Sequence, residues 1–203
     1  MLEPVPVFED VQLQVDTDNG LMLGVRQIAS PNYDARPPGV EADLIVVHGI
    51  SLPPGEFGGP WIDQLFTNTL PAEIHPYFAE VSSLRVSSHL VVQRDGAVTQ
   101  YVSFTDRAWH AGTSFFQGRE ACNDFSVGVE LEGTDTLEYE APQYRALAEV
   151  VAALCAAYPR LSSQRMAGHS DISPGRKTDP GPAFDWPRAH RLIAAACGRT
   201  QPR

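Results

Sequence analysis

Apolar residues fall in short blocks between turn-forming residues, and the blocks carry two different periods. Residues 44–47 form a continuous, largely β-branched run that ends in His48 and Gly49, the pattern of a strand buried on both faces. Val127, Val129 and Leu131 alternate with Gly128, Glu130 and Glu132, so a second strand carries two carboxylates on one face. Residues 89–93 and 98–101 flank Arg94-Asp95-Gly96, where Asp-Gly signals a hairpin. Helical spacing is clearest over residues 141–158, where Tyr144, Leu147, Val151, Leu154, Cys155 and Tyr158 recur at steps of three and four and Pro159 closes the run. Residues 186–197 predict a second helix, with Asp185 as N-cap and Gly198 as its stop. A short helix is expected over 60–68, after a turn-rich lead-in at 32–39 and a long loop at 51–59. Strands interspersed with helices, with one antiparallel hairpin, predict an α/β fold: a single domain with a central mixed β-sheet flanked by helices. Residues 1–20 read as an N-terminal extension, 21–198 as the domain and 199–203 as a C-terminal tail, with no internal repeat or linker.

The densest chemistry lies in Gly168-His169-Ser170-Asp171-Ile172-Ser173-Pro174-Gly175-Arg176-Lys177-Thr178-Asp179-Pro180-Gly181-Pro182. Its prolines and glycines predict irregular backbone, neither helix nor central strand. A loop running from His169 to Asp179 can fold back and aim both side chains at one point. An imidazole nitrogen and a carboxylate oxygen suit zinc, and a third ligand must then come from elsewhere. His48, at a strand end where sites gather, is the candidate. A core histidine that merely hydrogen-bonds is the alternative, and the loop tips the balance toward a ligand. Glu130 costs free energy in an apolar strand unless it has a partner, and it could take a proton from a metal-activated water. A solvated edge-strand carboxylate is the other reading, and it suits Glu132 better. Lys177 could face a developing oxyanion, although taken alone it is an ordinary exposed loop lysine.

Composition narrows the partners. Lys and Arg number 15 against 25 Asp and Glu, a net charge of −10 that argues against nucleic acid and anionic membranes. A small anionic ligand needs only a local positive pocket, for which Arg85, Arg94, Arg107, Arg119 and Arg176 are candidates. Cys122, Cys155 and Cys197 are odd in number and lack paired spacing, so free thiols in a reducing cytosol are expected. Cys155 and Cys197 read as core residues. Residues 1–10 lack the basic and apolar regions of a secretion signal, and no run approaches a membrane span. A cytoplasmic location follows as the expectation. Of the remaining histidines, His89 reads as structural and His75 and His190 as surface residues.

Ser30-Pro31-Asn32-Tyr33-Asp34-Ala35-Arg36-Pro37, Val46-Val47-His48 and Ser51-Leu52-Pro53-Pro54-Gly55-Glu56-Phe57-Gly58 belong to a larger pattern. It continues through Ser87-Ser88-His89-Leu90, Trp109-His110-Ala111-Gly112, Cys122-Asn123-Asp124-Phe125-Ser126, Glu130-Leu131-Glu132-Gly133 and the 168–182 loop. Together these segments, spanning roughly residues 21 to 193, resemble the zinc-dependent N-acetylmuramoyl-L-alanine amidases of type 2. Residues 51–58 narrow the resemblance to the AmpD-type 1,6-anhydro branch, which works in cytosolic peptidoglycan recycling. The resemblance implies a peptidoglycan-recognition-protein-like fold and a muropeptide substrate. It implies one Zn2+ per chain, held by His48, His169 and Asp179, with Glu130 and Lys177 as the catalytic pair. Some relatives carry cysteine at the position of Asp179 and animal homologues often lose the metal, whereas this chain keeps every ligand. Gly49 stands where the family usually has asparagine, removing an amide that could touch substrate. On the substrate side, Trp109 could stack on a sugar or lactyl group, His110 could line the cleft, and Arg85 could fork onto a stem-peptide carboxylate. Structural packing is an equal alternative for Trp109 and His110. A monomer fits. Two other functions stay open: a muropeptide-binding sensor without catalysis, and a broader amidase acting on polymeric peptidoglycan.

Overall fold

The apolar runs build the middle of a six-stranded sheet in a computed structural model that describes residues 12–200. The first eleven residues of the expected extension and the last three of the tail lie outside the described residues. In chain order the strands and helices are β1 (Gln14–Asp16), β2 (Leu21–Leu23), β3 (Arg26–Gln27), β4 (Tyr33–Ala35), β5 (Leu44–Ile50), α1 (Trp61–Phe66) and α2 (Pro76–Val81). They continue with β6 (Leu90–Val92), β7 (Val98–Gln100), β8 (Asp106–Ala108), β9 (Phe115–Phe116), β10 (Arg119–Glu120) and β11 (Ser126–Glu132). The last are α3 (Ala141–Ala157), β12 (Met166–Gly168), α4 (His169–Ile172) and α5 (Trp186–Thr200). The main sheet runs β12-β5-β11-β6-β7-β3. Only the predicted β6–β7 hairpin is antiparallel, so the sheet is mixed as expected.

Strand alternation decides which side chains meet. Ile45 and Val47 of β5 and Val127, Val129 and Leu131 of β11 join Leu147, Val151 and Leu154 of α3 and Ile193 of α5 in one core. Each such side chain contributes about 1.5–3 kcal/mol on full burial. Val91 points the other way, into a second cluster with Phe66, Leu65 and Ile62 of α1 and Phe78 of α2. By the same parity His48 and Glu130 face away from α3 and α5, and β5 and β11 pair with those two residues directly opposite one another.

Several expectations are corrected. The 168–182 segment is not wholly irregular: Gly168 ends an edge strand, and His169 opens a single helical turn. α5 passes through Gly198 to Thr200. A glycine in an exposed last turn costs only about 1 kcal/mol, too little to stop a helix there. The lead-in at 32–39 contains β4, which pairs antiparallel with β8. His75 is not a loose surface residue: its Nδ1 accepts the Tyr77 N–H at 3.1 Å and caps α2.

Glu132 is no solvated edge carboxylate either, because β11 is a central strand and the residue is 3% exposed. Its oxygens accept the backbone N–H of Gly58 at 2.7 Å and of Arg94 at 3.2 Å. The Arg94 guanidinium lies over the Phe57 ring, 4.8 Å from its centroid. Glu132 thereby pins the 51–59 loop to the sheet. Glu132→Ala strands two N–H groups at about 1–3 kcal/mol each, and each kcal/mol lowers Tm by about 2–4 °C in a chain of this size. Thermal scans should show that loss, and limited proteolysis should cut first within 51–59.

Candidate metal and catalytic site

The two strands and the 168–182 segment bring three ligand atoms to one point. His48 sits in the last part of β5, His169 at the start of α4 beside β12, and Asp179 follows on the returning chain. His48 Nδ1 lies 2.9 Å from His169 Nδ1 and 3.3 Å from Asp179 Oδ2, and His169 Nδ1 lies 3.1 Å from the same oxygen. Among the described residues this is the one cluster of its kind with converging ligand atoms. The separations match a tetrahedral zinc site, in which ligands about 2.0–2.1 Å from the ion stand roughly 3.3 Å apart.

The chemistry of the donors fits a cation. Burial pushes the His48 imidazole down to about 4, so it is neutral at neutral pH and its contact with Asp179 is not an ion pair. His169 Nε2 lies 3.1 Å from the carbonyl oxygen of Ala111, a pure acceptor, so Nε2 carries a proton and Nδ1 is the bare nitrogen of the neutral ring. Arg176 Nη2 comes within 3.3 Å of that Nε2, but it has nearer acceptors in Ala111 O at 2.5 Å and Ser173 Oγ at 2.7 Å. Burial alone would raise the Asp179 carboxyl, and a proton on His169 or His48 beside it would hold it well below the usual range. With both Nδ1 atoms bare, lone pairs converge where a metal would sit.

The same three residues line a cavity of about 570 Å³ together with Glu130, Lys177, Trp109 and His110. Glu130 is 9% exposed, and its Oε2 is buried with no hydrogen-bond partner. Burial, and then the Asp179 charge, push its pKa well above the ordinary value, while Lys177 pulls the other way. Lys177 is exposed and is the one cation among the described residues lining the cavity.

The expected substrate-side residues separate. Trp109 lines the cavity, and its Nε1 donates to Asp34 Oδ1 at 3.2 Å, which fixes the ring. Arg107 holds that aspartate from both oxygens and so serves Trp109 rather than a ligand. His110 lines the cavity but turns its Nδ1 to His48 Nε2, 2.9 Å away. Arg85 is exposed, lies outside the cavity lining, and donates back to the carbonyls of Ser83 and Leu84. Arg94, Arg119 and Arg176 are engaged with Glu140, Asp43 and backbone carbonyls. Cys122 is buried, with its thiol pKa raised by burial, and does not line the cavity.

The glycine at position 49 has a physical reason. A Cβ there would meet the Tyr139 hydroxyl at 2.4 Å. That hydroxyl donates to the Pro180 carbonyl at 3.0 Å, bracing the residue after Asp179. Tyr139 was invisible as a site residue, since only the packing of Gly49 and Gly133 against its ring reveals it.

The chain is similar to known proteins over most of its length. The family model described as N-acetylmuramoyl-L-alanine amidase matches residues 38–182. The 1,6-anhydro-N-acetylmuramyl-L-alanine amidase AmpD of Escherichia coli K12 is 58% identical over 177 residues, which is 87% of this chain and 96% of the relative. The crystal structure of an Se-Met AmpD derivative matches with a TM-score of 0.85 at 56% identity, covering 88% of this chain and 98% of that one. The E. coli amidase AmiD, solved with the substrate anhydro-N-acetylmuramic acid-L-Ala-D-γ-Glu-L-Lys, matches with a TM-score of 0.54 at 25% identity. That match covers 89% of this chain and 65% of AmiD.

Proposed function

Because the chain belongs to the N-acetylmuramoyl-L-alanine amidase family, we propose that it hydrolyses the amide between 1,6-anhydro-N-acetylmuramic acid and L-alanine in muropeptides, as a step of peptidoglycan recycling. His48, His169 and Asp179 hold one Zn2+ in this reading, which supplies a Lewis acid that polarises a carbonyl and acidifies water. The observation that carries the catalytic assignment is the buried, unpartnered Oε2 of Glu130, set opposite His48 in the sheet and in the same cavity. Glu130 takes the proton of the attacking water and returns it to the leaving α-amine of L-alanine. Lys177 offers its ammonium to the oxyanion that forms on the amide carbonyl. Trp109, fixed by Asp34, offers a ring face to the sugar or lactyl group. Among the described residues no helix is long and apolar enough to cross a membrane. Action in the cytoplasm on imported fragments is supported by the likeness to the AmpD amidases.

Mass spectrometry of the purified protein with an anhydromuramyl tripeptide tests the reading. Free tripeptide should appear, stop on chelation and return with zinc. No cleavage by a folded, zinc-loaded sample refutes it, and faster release from intact sacculi than from the soluble fragment would favour a wall-polymer amidase. Lys177→Met is expected to lower kcat about 10²–10³-fold, the scale for one oxyanion donor, with zinc content unchanged. Single-turnover rates on metal-loaded protein check this.

A further inference from the structure

The hydrogen bonds behind His48 run in one direction only, and their direction is set from the far end. The Cys122 carbonyl can only accept, and Ser126 Oγ lies 2.6 Å from it, so the hydroxyl proton points there. Ser126 Oγ then has only a lone pair for His110 Nε2, 3.2 Å away, and that nitrogen must carry the ring proton. In a neutral imidazole the other nitrogen is bare. His110 Nδ1 therefore accepts, and its partner at 2.9 Å is His48 Nε2. His48 in turn protonates Nε2 and presents a bare Nδ1 to His169 and Asp179.

We propose that His110 is a positioning residue that locks His48 in the tautomer whose Nδ1 is free to bind metal, through the relay Cys122–Ser126–His110–His48. This rests on the metal reading of the site, and it departs from the expectation that His110 contacts substrate.

The surroundings of His110 are built for that orientation. Its backbone N–H and that of Ala111 donate to Asn123 Oδ1 at 3.1 and 2.8 Å. Its ring packs against β11 where Gly128 has no side chain: a Cβ there would stand 2.6 Å from His110 Cγ and 2.8 Å from Nδ1. Gly128 is therefore part of the device, and Gly128→Ala displaces the ring without altering any hydrogen-bonding group.

The test measures zinc affinity by competition with a chromophoric chelator, and the visible spectrum of the cobalt-substituted protein. His110→Leu removes the acceptor at similar volume, whereas His110→Asn places an amide oxygen where Nδ1 was. His110→Leu and Gly128→Ala are expected to bind zinc about 10–100-fold more weakly, the usual scale for partners of metal ligands, and to shift the cobalt bands. His110→Asn should stay within a few-fold of wild type on both readouts. If His110→Leu does not fold, Gly128→Ala against His110→Asn carries the comparison. Wild-type zinc affinity and an unchanged cobalt spectrum in the folded leucine or alanine variant overturn the relay, and a rise in KM alone would return His110 to a substrate contact. A wild-type protein that binds no zinc, or binds it equally after His48→Ala, overturns the metal reading and this inference with it.

Discussion

Glu130→Gln, loaded with zinc, is expected to keep its metal and lose about 10²–10⁴-fold in kcat, the range for a positioned general base. The substitution is nearly isosteric and leaves His48, His169 and Asp179 untouched, so a fall in metal content would mean that Glu130 is itself a ligand. The buried Oε2 without a partner is what an amide replaces at least cost in packing. The metal-free protein gives a second readout with a definite sign. A carboxyl whose folded pKa is raised keeps its proton after the unfolded chain has released it, at a pH near 4.3. Folding stability attributable to Glu130 is then fully present below that pH and declines as pH rises toward the folded pKa. Metal-free Glu130→Gln should therefore gain on metal-free wild type as the pH rises above about 4 in paired thermal scans. The opposite trend would mean that a partner holds Glu130 as a carboxylate, and unchanged turnover would remove it from the mechanism.

What could be read from the sequence was whatever depends on neighbours along the chain. The buried strand carrying His48 (which runs on to Ile50), the hairpin at Asp95-Gly96, α3 and the Asp185 cap of α5 all follow from local periodicity and turn chemistry, and all are present. The signal for α2 was also local: a proline at the first helical position stands directly behind His75, a capping side chain. Glu132 shows where periodicity stops. It shares a face and an alternation with Glu130, but whether that face is wet depends on the place of β11 in the sheet, which no period encodes. His110 and Tyr139 are placed by packing in the same way. The partners of His110 are Gly128 and Ser126 on β11 and His48 on β5, and Tyr139 fills space over Gly49 and Gly133. Strand register makes those contacts, and Trp109-His110-Ala111-Gly112 read alone gives no hint that its histidine lies against His48.

Removing zinc should lower thermal stability substantially, because the metal binds only where the three ligand elements are assembled. At a free zinc concentration about 1,000 times Kd the folded state gains about 4 kcal/mol, roughly 8–16 °C in Tm for a chain of this length. With both Nδ1 atoms bare, as the relay requires, the metal-free site would also be strained electrostatically. His48 Nδ1, His169 Nδ1 and Asp179 Oδ2 stand 2.9–3.3 Å apart, each with a lone pair toward the others. Asp179→Asn separates binding from strain. Its amide can donate a proton to one of the two imidazole nitrogens, so metal-free Asp179→Asn is expected to melt no lower than metal-free wild type. The same change removes an anionic ligand, so the zinc-dependent rise in Tm should disappear and turnover should fall below detection in the mass-spectrometric assay. Calorimetry of both proteins, with chelator and with zinc, gives four melting temperatures. A crossing, with wild type higher only when zinc is present, is the pattern required of three acceptors gathered around a cation. A metal-free mutant that melts well below metal-free wild type would mean instead that Asp179 stabilises the site as a partner of protonated histidine, with the metal incidental to the fold.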